Sequence, residues 1–305
     1  MPLDRCSTLR KNNAWVSEKV KENNTQFIPM VKGKYLFVDN KLLTFSYQEL
    51  VSHQIDPQAY LLIFLGTDSG KAVFVLDCSS ITPQKMSMLS IGEIDVLDLR
   101  LSLHLVSQSQ AAILAYGKSL SYWHNQHQFC GRCGAKSKSH DAGHMRKCSS
   151  EQCQQLHFPR TDPVVIMLVE YQPPSGPKKC LLAEHQRLSE KVVSTLAGFI
   201  DPGEALEEAV AREVYEEAGV KVDKVQYMAS QPWPFPGSLM IGFHAITHDP
   251  SLNIDLEELS AAHWFSADEI KSFDEWGDPG DNFQLPRRES IARFLIDQWV
   301  AQQAC

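Results

Sequence analysis

No stretch of the 305 residues stays apolar for the roughly 20 positions that a helical membrane span needs. Positive charge is in short supply, with 29 Lys and Arg against 37 Asp and Glu and a formal net charge of −8. A broad electrostatic grip on a nucleic-acid backbone is therefore not expected, although local contact with one RNA end stays open. No repeat of about 33 residues is visible, so no repeat array of the ankyrin type is expected within the chain. The N-terminal segment carries mixed charge and reads as neither a secretory signal nor a transit peptide. The ending Gln-Ala-Cys is not of the Ser-Lys-Leu type, which makes the cytosol the expected compartment and the peroxisome the alternative. At 43% hydrophobic and 22% charged, the composition is that of a soluble globular protein with room for two domains and a small metal module.

Against this ordinary background, the run Gly198 to Val220, GFIDPGEALEEAVAREVYEEAGV, puts acids where a helix usually buries apolar residues. At about 100° per residue, Leu206, Ala209, Val210, Glu213 and Glu217 fall within one arc. Glu216 lies at its edge, while Glu208, Arg212 and Tyr215 point away. Burying ionised carboxylates side by side is costly unless a cation meets them. Oxygen-only ligands favour Mg²⁺ or Mn²⁺, ions that bind phosphates and activate water. Asp201-Pro202-Gly203 reads as a turn, Glu204 suits the positive end of the helix dipole, and Gly219 suits a left-handed stop. Metal-assisted hydrolysis of a phosphoanhydride is the reaction class these residues suggest.

Two further segments carry chemistry. Cys130-Gly-Arg-Cys133 and Cys148-x4-Cys153 form two knuckles separated by fourteen residues, close to the spacing of a four-thiolate zinc ribbon. Four thiolates leave no open coordination position, so Zn²⁺ there is structural. Free thiols or a redox pair are the alternatives, and the latter lacks its βαβ context. Cys6, Cys78, Cys180 and Cys305 are scattered and expected to be reduced thiols. The second segment, Ser230-Gln-Pro-Trp-Pro-Phe-Pro-Gly-Ser238, reads either as a proline-rich ligand or as a stiff loop presenting aromatic and hydroxyl groups to a substrate.

The pattern G-x5-E-x7-R-E-U-x-E-E-x-G-U, with U aliphatic, is the Nudix box, and Gly198 to Val220 fits it throughout. The chain thus resembles the Nudix hydrolases. The Ser230 to Ser238 segment, with a four-cysteine ribbon upstream, resembles the signature of their NADH pyrophosphatase branch. Pro2-Leu-Asp-Arg-Cys6 with Trp15 resembles the animal peroxisomal members after their ankyrin repeats. The resemblance implies an α/β (α+β) fold, a β-sheet sandwiched between helices, preceded by a divergent Nudix-like domain and the ribbon. The expected division is 1–125, 126–160 for the ribbon and 161–305 for the catalytic domain.

Carried over residue by residue, the resemblance makes Glu213 and Glu217 the principal magnesium or manganese ligands and Arg212 an orienting ion-pair partner. Glu216 becomes a further ligand or orienting carboxylate, and either Glu216 or Glu217 could serve as base. A further ligand falls at Glu258, with Glu257 the fallback and a solvated acidic turn the plain alternative. Ala197 and Ala292 match positions whose backbone approaches metal or substrate. Phe158 matches an aromatic beside the ribbon that contacts the nucleotide, and is expected to bind substrate, keeping the stacking of the more frequent tyrosine without its hydroxyl. Gln231, Pro232, Trp233, Pro234, Phe235, Pro236, Gly237 and Ser238 are expected to bind substrate.

Tyr60 to Leu65 and Ala72 to Leu76 are predicted to form a hairpin, as are Val164 to Val169 and Cys180 to Ala183. Leu239 to Thr247 is predicted to be a strand, and Ile291, Phe294, Leu295 and Trp299 the packing face of a helix. His104, His124 and His127 show no ligand spacing and are expected at the surface or in packing. The implied activity splits NADH or NAD⁺ into nicotinamide mononucleotide and AMP, and removes the NAD cap of RNA. The alternatives are a Nudix hydrolase of ADP-ribose or a diadenosine polyphosphate, and a catalytically silent nucleotide-sensing or RNA-binding adaptor. A homodimer without membrane contact is expected.

Overall fold

The computed structural model describes residues 3–81, 92–186 and 191–303, which fall into two compact units. The first comprises residues up to Arg160 together with Pro234–Gly237, and the second the remainder. Cys305, expected to be a free thiol, lies outside the described residues.

In the first unit, β1 (Gln26–Val31), β2 (Lys34–Val38), β3 (Lys41–Leu42), β4 (Leu62–Asp68), β5 (Lys71–Asp77) and β6 (Asp95–Leu97) form one sheet. Its order is β3-β2-β1-β5-β4, with β6 on β2, and β1 runs parallel to β5. The predicted hairpin is β4–β5, turning at Ser69-Gly70 where both residues have positive φ. Strand β4 starts at Leu62 because a 3-10 turn at Pro57–Ala59 precedes it. Helix Gln108–Gln126 lays Leu114 and Leu120 on one face of the sheet, and Val20 and Leu50 belong to the core on the other.

The ribbon is a three-stranded sheet of β7 (Ser137–His140), β8 (Met145–Cys148) and β9 (Leu156–His157). Two buried histidines tie it into the first unit. The ring of His124 meets Gly143 O at 2.8 Å and Arg146 Nη1 at 2.8 Å, and that of His144 meets Phe64 O at 2.6 Å. The His124 imidazole can serve its two neighbours only as one neutral tautomer: its Nε2–H donates to the Gly143 carbonyl while Nδ1 accepts from Arg146. Burial drives the pKa values of both histidines down to about 4.

The second unit is built on a seven-stranded sheet. Its strands are β10 (Asp162–Tyr171), β11 (Lys179–His185), β12 (Val193–Ser194), β13 (Leu196–Phe199), β14 (Lys224–Trp233), β15 (Ser238–Thr247) and β16 (Leu259–Ser266). The order is β12-β11-β10-β15-β14, with β13 on β10 and β16 on β11. Strand β10 carries an unbroken apolar run from Val164 to Val169, as expected of a strand covered on both faces. It pairs parallel with β15 from Asp162↔Ser238 to Tyr171↔Thr247. Alternate residues feed two cores: Val165, Met167 and Val169 pack with the helix Leu206–Ala218, and Ile166 and Leu168 with the helix Ile291–Gln302.

Two expectations need correction. Ser230 to Ser238 is a β-hairpin formed by the end of β14 and the start of β15, with only Pro234–Gly237 between them. Proline is tolerated at Pro232 because β14 is an edge strand, where a missing N–H leaves no ladder partner unmet. Phe294 is exposed, so the packing face of the last helix runs through Ile291, Leu295, Ile296 and Trp299. Trp299 Nε1 also donates to buried Glu170 at 2.7 Å, which fixes that face to the sheet.

Candidate active site

The box helix runs Leu206–Ala218 and stops at Gly219, whose φ of 71° is left-handed. A Cβ there would come within 2.7 Å of Asn253 Cβ, so close approach and backbone twist both call for glycine. Past the stop, the chain returns alongside the end of the helix. Asn253 N donates to Ala218 O at 2.8 Å and Asp255 N to Glu217 O at 2.9 Å. These bonds satisfy helix carbonyls that would otherwise lack partners and bring the Asp255–Glu258 turn to the catalytic end of the helix.

Arg212 organises the acids. Its five N–H donors are all used, on Glu204 (2.8 and 2.8 Å), Glu213 (2.7 Å), Glu216 (2.9 Å) and the carbonyl of Phe199 (2.8 Å). Hydrogen bonds from Arg212, with the Asp201 amide, hold Glu204 down at about 2. The sequence assigned Glu204 to the helix dipole; its partnership with Arg212 could not be read, because a bidentate contact across eight residues depends on how the Asp201-Pro202-Gly203 turn folds back. Glu213 crosses directly over Gly198, where an added Cβ would lie 1.9 Å from its Cδ.

Glu217 is 2% exposed. Its Oε1 accepts from Ala197 N at 3.3 Å, while Oε2 is buried with no partner. Burial first, then the charges of Glu258 and Glu213, push its pKa up to about 8. Burial likewise raises that of Glu213, outweighing Arg212. Glu258 is the acid of the returning turn whose charge acts on both. Glu257 is exposed and its amide donates to Asp255. Glu216 is half exposed and held at the rim by Arg212.

The remaining expected residues distribute as follows. Ala197 lies in β13 beside Ile166, with its amide committed to Glu217. Ala292 is buried in the first turn of the last helix. Gln231 donates to Glu289 O at 2.7 Å and accepts from Ile291 N at 2.8 Å, so its amide clamps the start of that helix. Trp233 and Ser238 pair at the end of the hairpin, and Pro232 is exposed. Within the first unit, the Phe235 ring lies 4.5 Å from Arg100 Cζ and 5.5 Å from Lys118 Nζ, close to Pro234, Pro236 and Gly237. Phe158 is exposed beside the ribbon. Sequence reasoning missed Phe199: its ring is 62% exposed two residues after Ala197, on the same side of β13, and a phenylalanine at the open end of a strand is the only signal.

In the ribbon, Cys130, Cys133, Cys148 and Cys153 bring their ligand atoms within 4.8 Å of one another. Burial opposes ionisation of Cys130, but amides of Arg132 and Cys133, with His157 and Cys153, outweigh it and lower its pKa to about 6. Such a donor set fits Zn²⁺. Among the described residues no carboxylates are gathered as tightly. Cys6, Cys78 and Cys180 are free, and burial pushes Cys78 up to about 12, which leaves it inert.

Compared with known proteins, the chain matches the NUDIX domain over residues 162–284. It also matches the NADH pyrophosphatase zinc ribbon domain over 125–158 and the NADH pyrophosphatase-like rudimentary NUDIX domain over 24–123. It is 32% identical to the Homo sapiens protein named NAD-capped RNA hydrolase NUDT12, with 98% of this chain and 72% of that one aligned. The chain belongs to the Nudix family. Another Nudix relative, the Homo sapiens protein named NAD(P)H pyrophosphatase NUDT13, mitochondrial, is 36% identical over 81% of this chain and 70% of its own. The NAD-capped RNA hydrolase NudC of Stutzerimonas stutzeri is 38% identical over 67% of each. Nudix hydrolases require Mg²⁺ or Mn²⁺, and the orphaned, buried Glu217 Oε2 among other acids fits such an ion. No helix among the described residues is long and apolar enough to cross a membrane.

Proposed function

We propose that the chain hydrolyses the diphosphate linkage of NADH or NAD⁺ to nicotinamide mononucleotide and AMP, and releases the same linkage from the NAD cap of RNA. The observation that carries this reading is Glu217: a buried carboxylate with an unpartnered oxygen, whose pKa is raised by burial and by the charges of Glu258 and Glu213 beside it. The Ser230 to Ser238 signature and the names of the relatives support the substrate.

Glu213, Glu217 and Glu258 would hold the divalent ion, which when bound neutralises diphosphate charge and activates water. Arg212 fixes Glu213 from one side, and the Ala197 amide orients Glu217 from the other. Glu216 stays at the rim under Arg212's control. Gln231 sets the start of the last helix and with it Ala292. The exposed Phe199 ring offers a flat apolar surface for the nicotinamide or adenine. The division at 125 and 160 and a homodimeric working unit rest on the resemblance to the branch, and sedimentation measurements test the second.

With Mg²⁺ or Mn²⁺, the purified protein is offered NADH, NAD⁺, ADP-ribose and NAD-capped RNA, and products are resolved by chromatography. Nicotinamide mononucleotide and AMP from the first two, and 5′-monophosphate RNA from the last, are expected. Turnover of ADP-ribose alone would overturn the assignment, and no turnover of any would remove the enzyme reading.

A further inference from the structure

The ribbon departs from the charge of the rest of the chain. Residues 126–160 hold six Lys or Arg against two Asp or Glu, within a protein whose net charge is −8. The sheet register collects the excess on one face. Lys138 pairs directly with Lys147, and Lys147 with Leu156. Residues paired across a sheet share a face, and the period of two adds Lys136 next to Lys138, while the exposed Phe158 follows directly on β9. The opposite face carries the buried Ser137, Arg146 and Cys148.

Two lysines directly opposite each other destabilise a sheet, and no acid offsets this pair. Among the described residues, none of Lys136, Lys138, Lys147, Arg132 or Arg160 has an ion-pair or hydrogen-bond partner for its side-chain nitrogens. Leu156 on that face is 41% exposed, and Phe158 just past it 58%. Folding therefore gains nothing from this arrangement, and cations interleaved with an exposed aromatic suit a flexible polyanion that carries planar bases.

We propose that this face, built on Lys136, Lys138 and Lys147 with Phe158 beside them, binds single-stranded RNA through its phosphates, with a base on the exposed ring. The proposal rests on the reading above in taking the polyanion to be RNA. It makes the three lysines a second point of attachment for a capped transcript, one that free NADH does not use.

Lys136, Lys138 and Lys147 are replaced together by glutamine in the full-length, zinc-loaded protein. Binding of an uncapped single-stranded RNA of about 15 nucleotides is read by fluorescence anisotropy across salt concentrations, with phosphatidylserine vesicles as a comparison. The unmodified protein should bind the RNA with a salt-dependent affinity. The variant should bind at least about ten-fold more weakly, with the logarithmic salt slope reduced by about 0.7 for each phosphate no longer neutralised. KM for NAD-capped RNA should rise while kcat and the kinetics on NADH stay unchanged, and unchanged zinc content shows that the fold is intact. RNA binding equal in both proteins, or binding of vesicles but not RNA, would overturn the proposal. RNA binding abolished in the variant while the unmodified protein hydrolyses no NADH would sustain the ribbon surface and remove the enzymatic reading. NADH hydrolysis without RNA binding would do the reverse.

Discussion

The carboxylate of Glu213 passes over the Cα of Gly198, so close that a methyl group there would lie 1.9 Å from Cδ. The first residue of the box is glycine because its side-chain space is occupied by a catalytic acid. Gly198→Ala should displace Glu213, uncouple it from Arg212, and lower kcat by about 10² or more while the protein still folds, since misplacement of about 1 Å can cost that much. Steady-state kinetics with a thermal melt check both halves of the expectation.

Glu217 links cation binding to pH. Its folded pKa of about 8 lies above the usual carboxylate value, so without a cation the folded state holds a proton that the unfolded chain releases. The stability associated with that proton is present below about pH 4.5 and is lost as pH rises towards 8. Added Mg²⁺ should therefore raise the melting temperature more at pH 8 than at pH 6. Glu217→Gln should abolish that difference and lower turnover by orders of magnitude. Equal magnesium stabilisation at both pH values in the unmodified protein would contradict the assignment.

The neutral histidines make the first unit acid-sensitive. With folded pKa values near 4 against about 6.5 unfolded, His124 and His144 contribute stability that is complete above pH 6.5 and falls away as pH drops to 4. The loss approaches roughly 3 kcal/mol for each at the acid end. Urea unfolding at pH 7 and pH 4.5 should differ accordingly, and His144→Asn should shrink the difference.

Cys148→Ser removes one of four thiolates that face one another across the knuckles. Metal analysis should find zinc in the unmodified protein and little in the variant, which should melt at lower temperature because metal binding and folding are coupled. Retained zinc at full occupancy would count against four-thiolate coordination.

Much of this was legible in the chain. The box helix, its glycine stop, the β10–β11 hairpin and the ribbon each follow from local spacing, and local spacing is what a sequence displays. What escaped depends on chain segments meeting at a distance. That Gln231 also clamps the start of the last helix, some 60 residues on, shows only when that helix arrives beside its amide. Glu204 reads as a dipole partner until the turn folds it onto Arg212. The prolines of Ser230 to Ser238 read as a loop because nothing local says that β14 lies at an edge.

The parallel pairing of β10 with β15 joins residues 76 apart in the chain, and the turn carrying Glu258 docks on the end of a helix packed against that sheet. Pairings of such long range form slowly, because loop closure precedes any gain from packing. That turn sets Glu258 against Glu213 and Glu217, so the ion that serves the reaction would also stabilise the contact that closes this end of the fold.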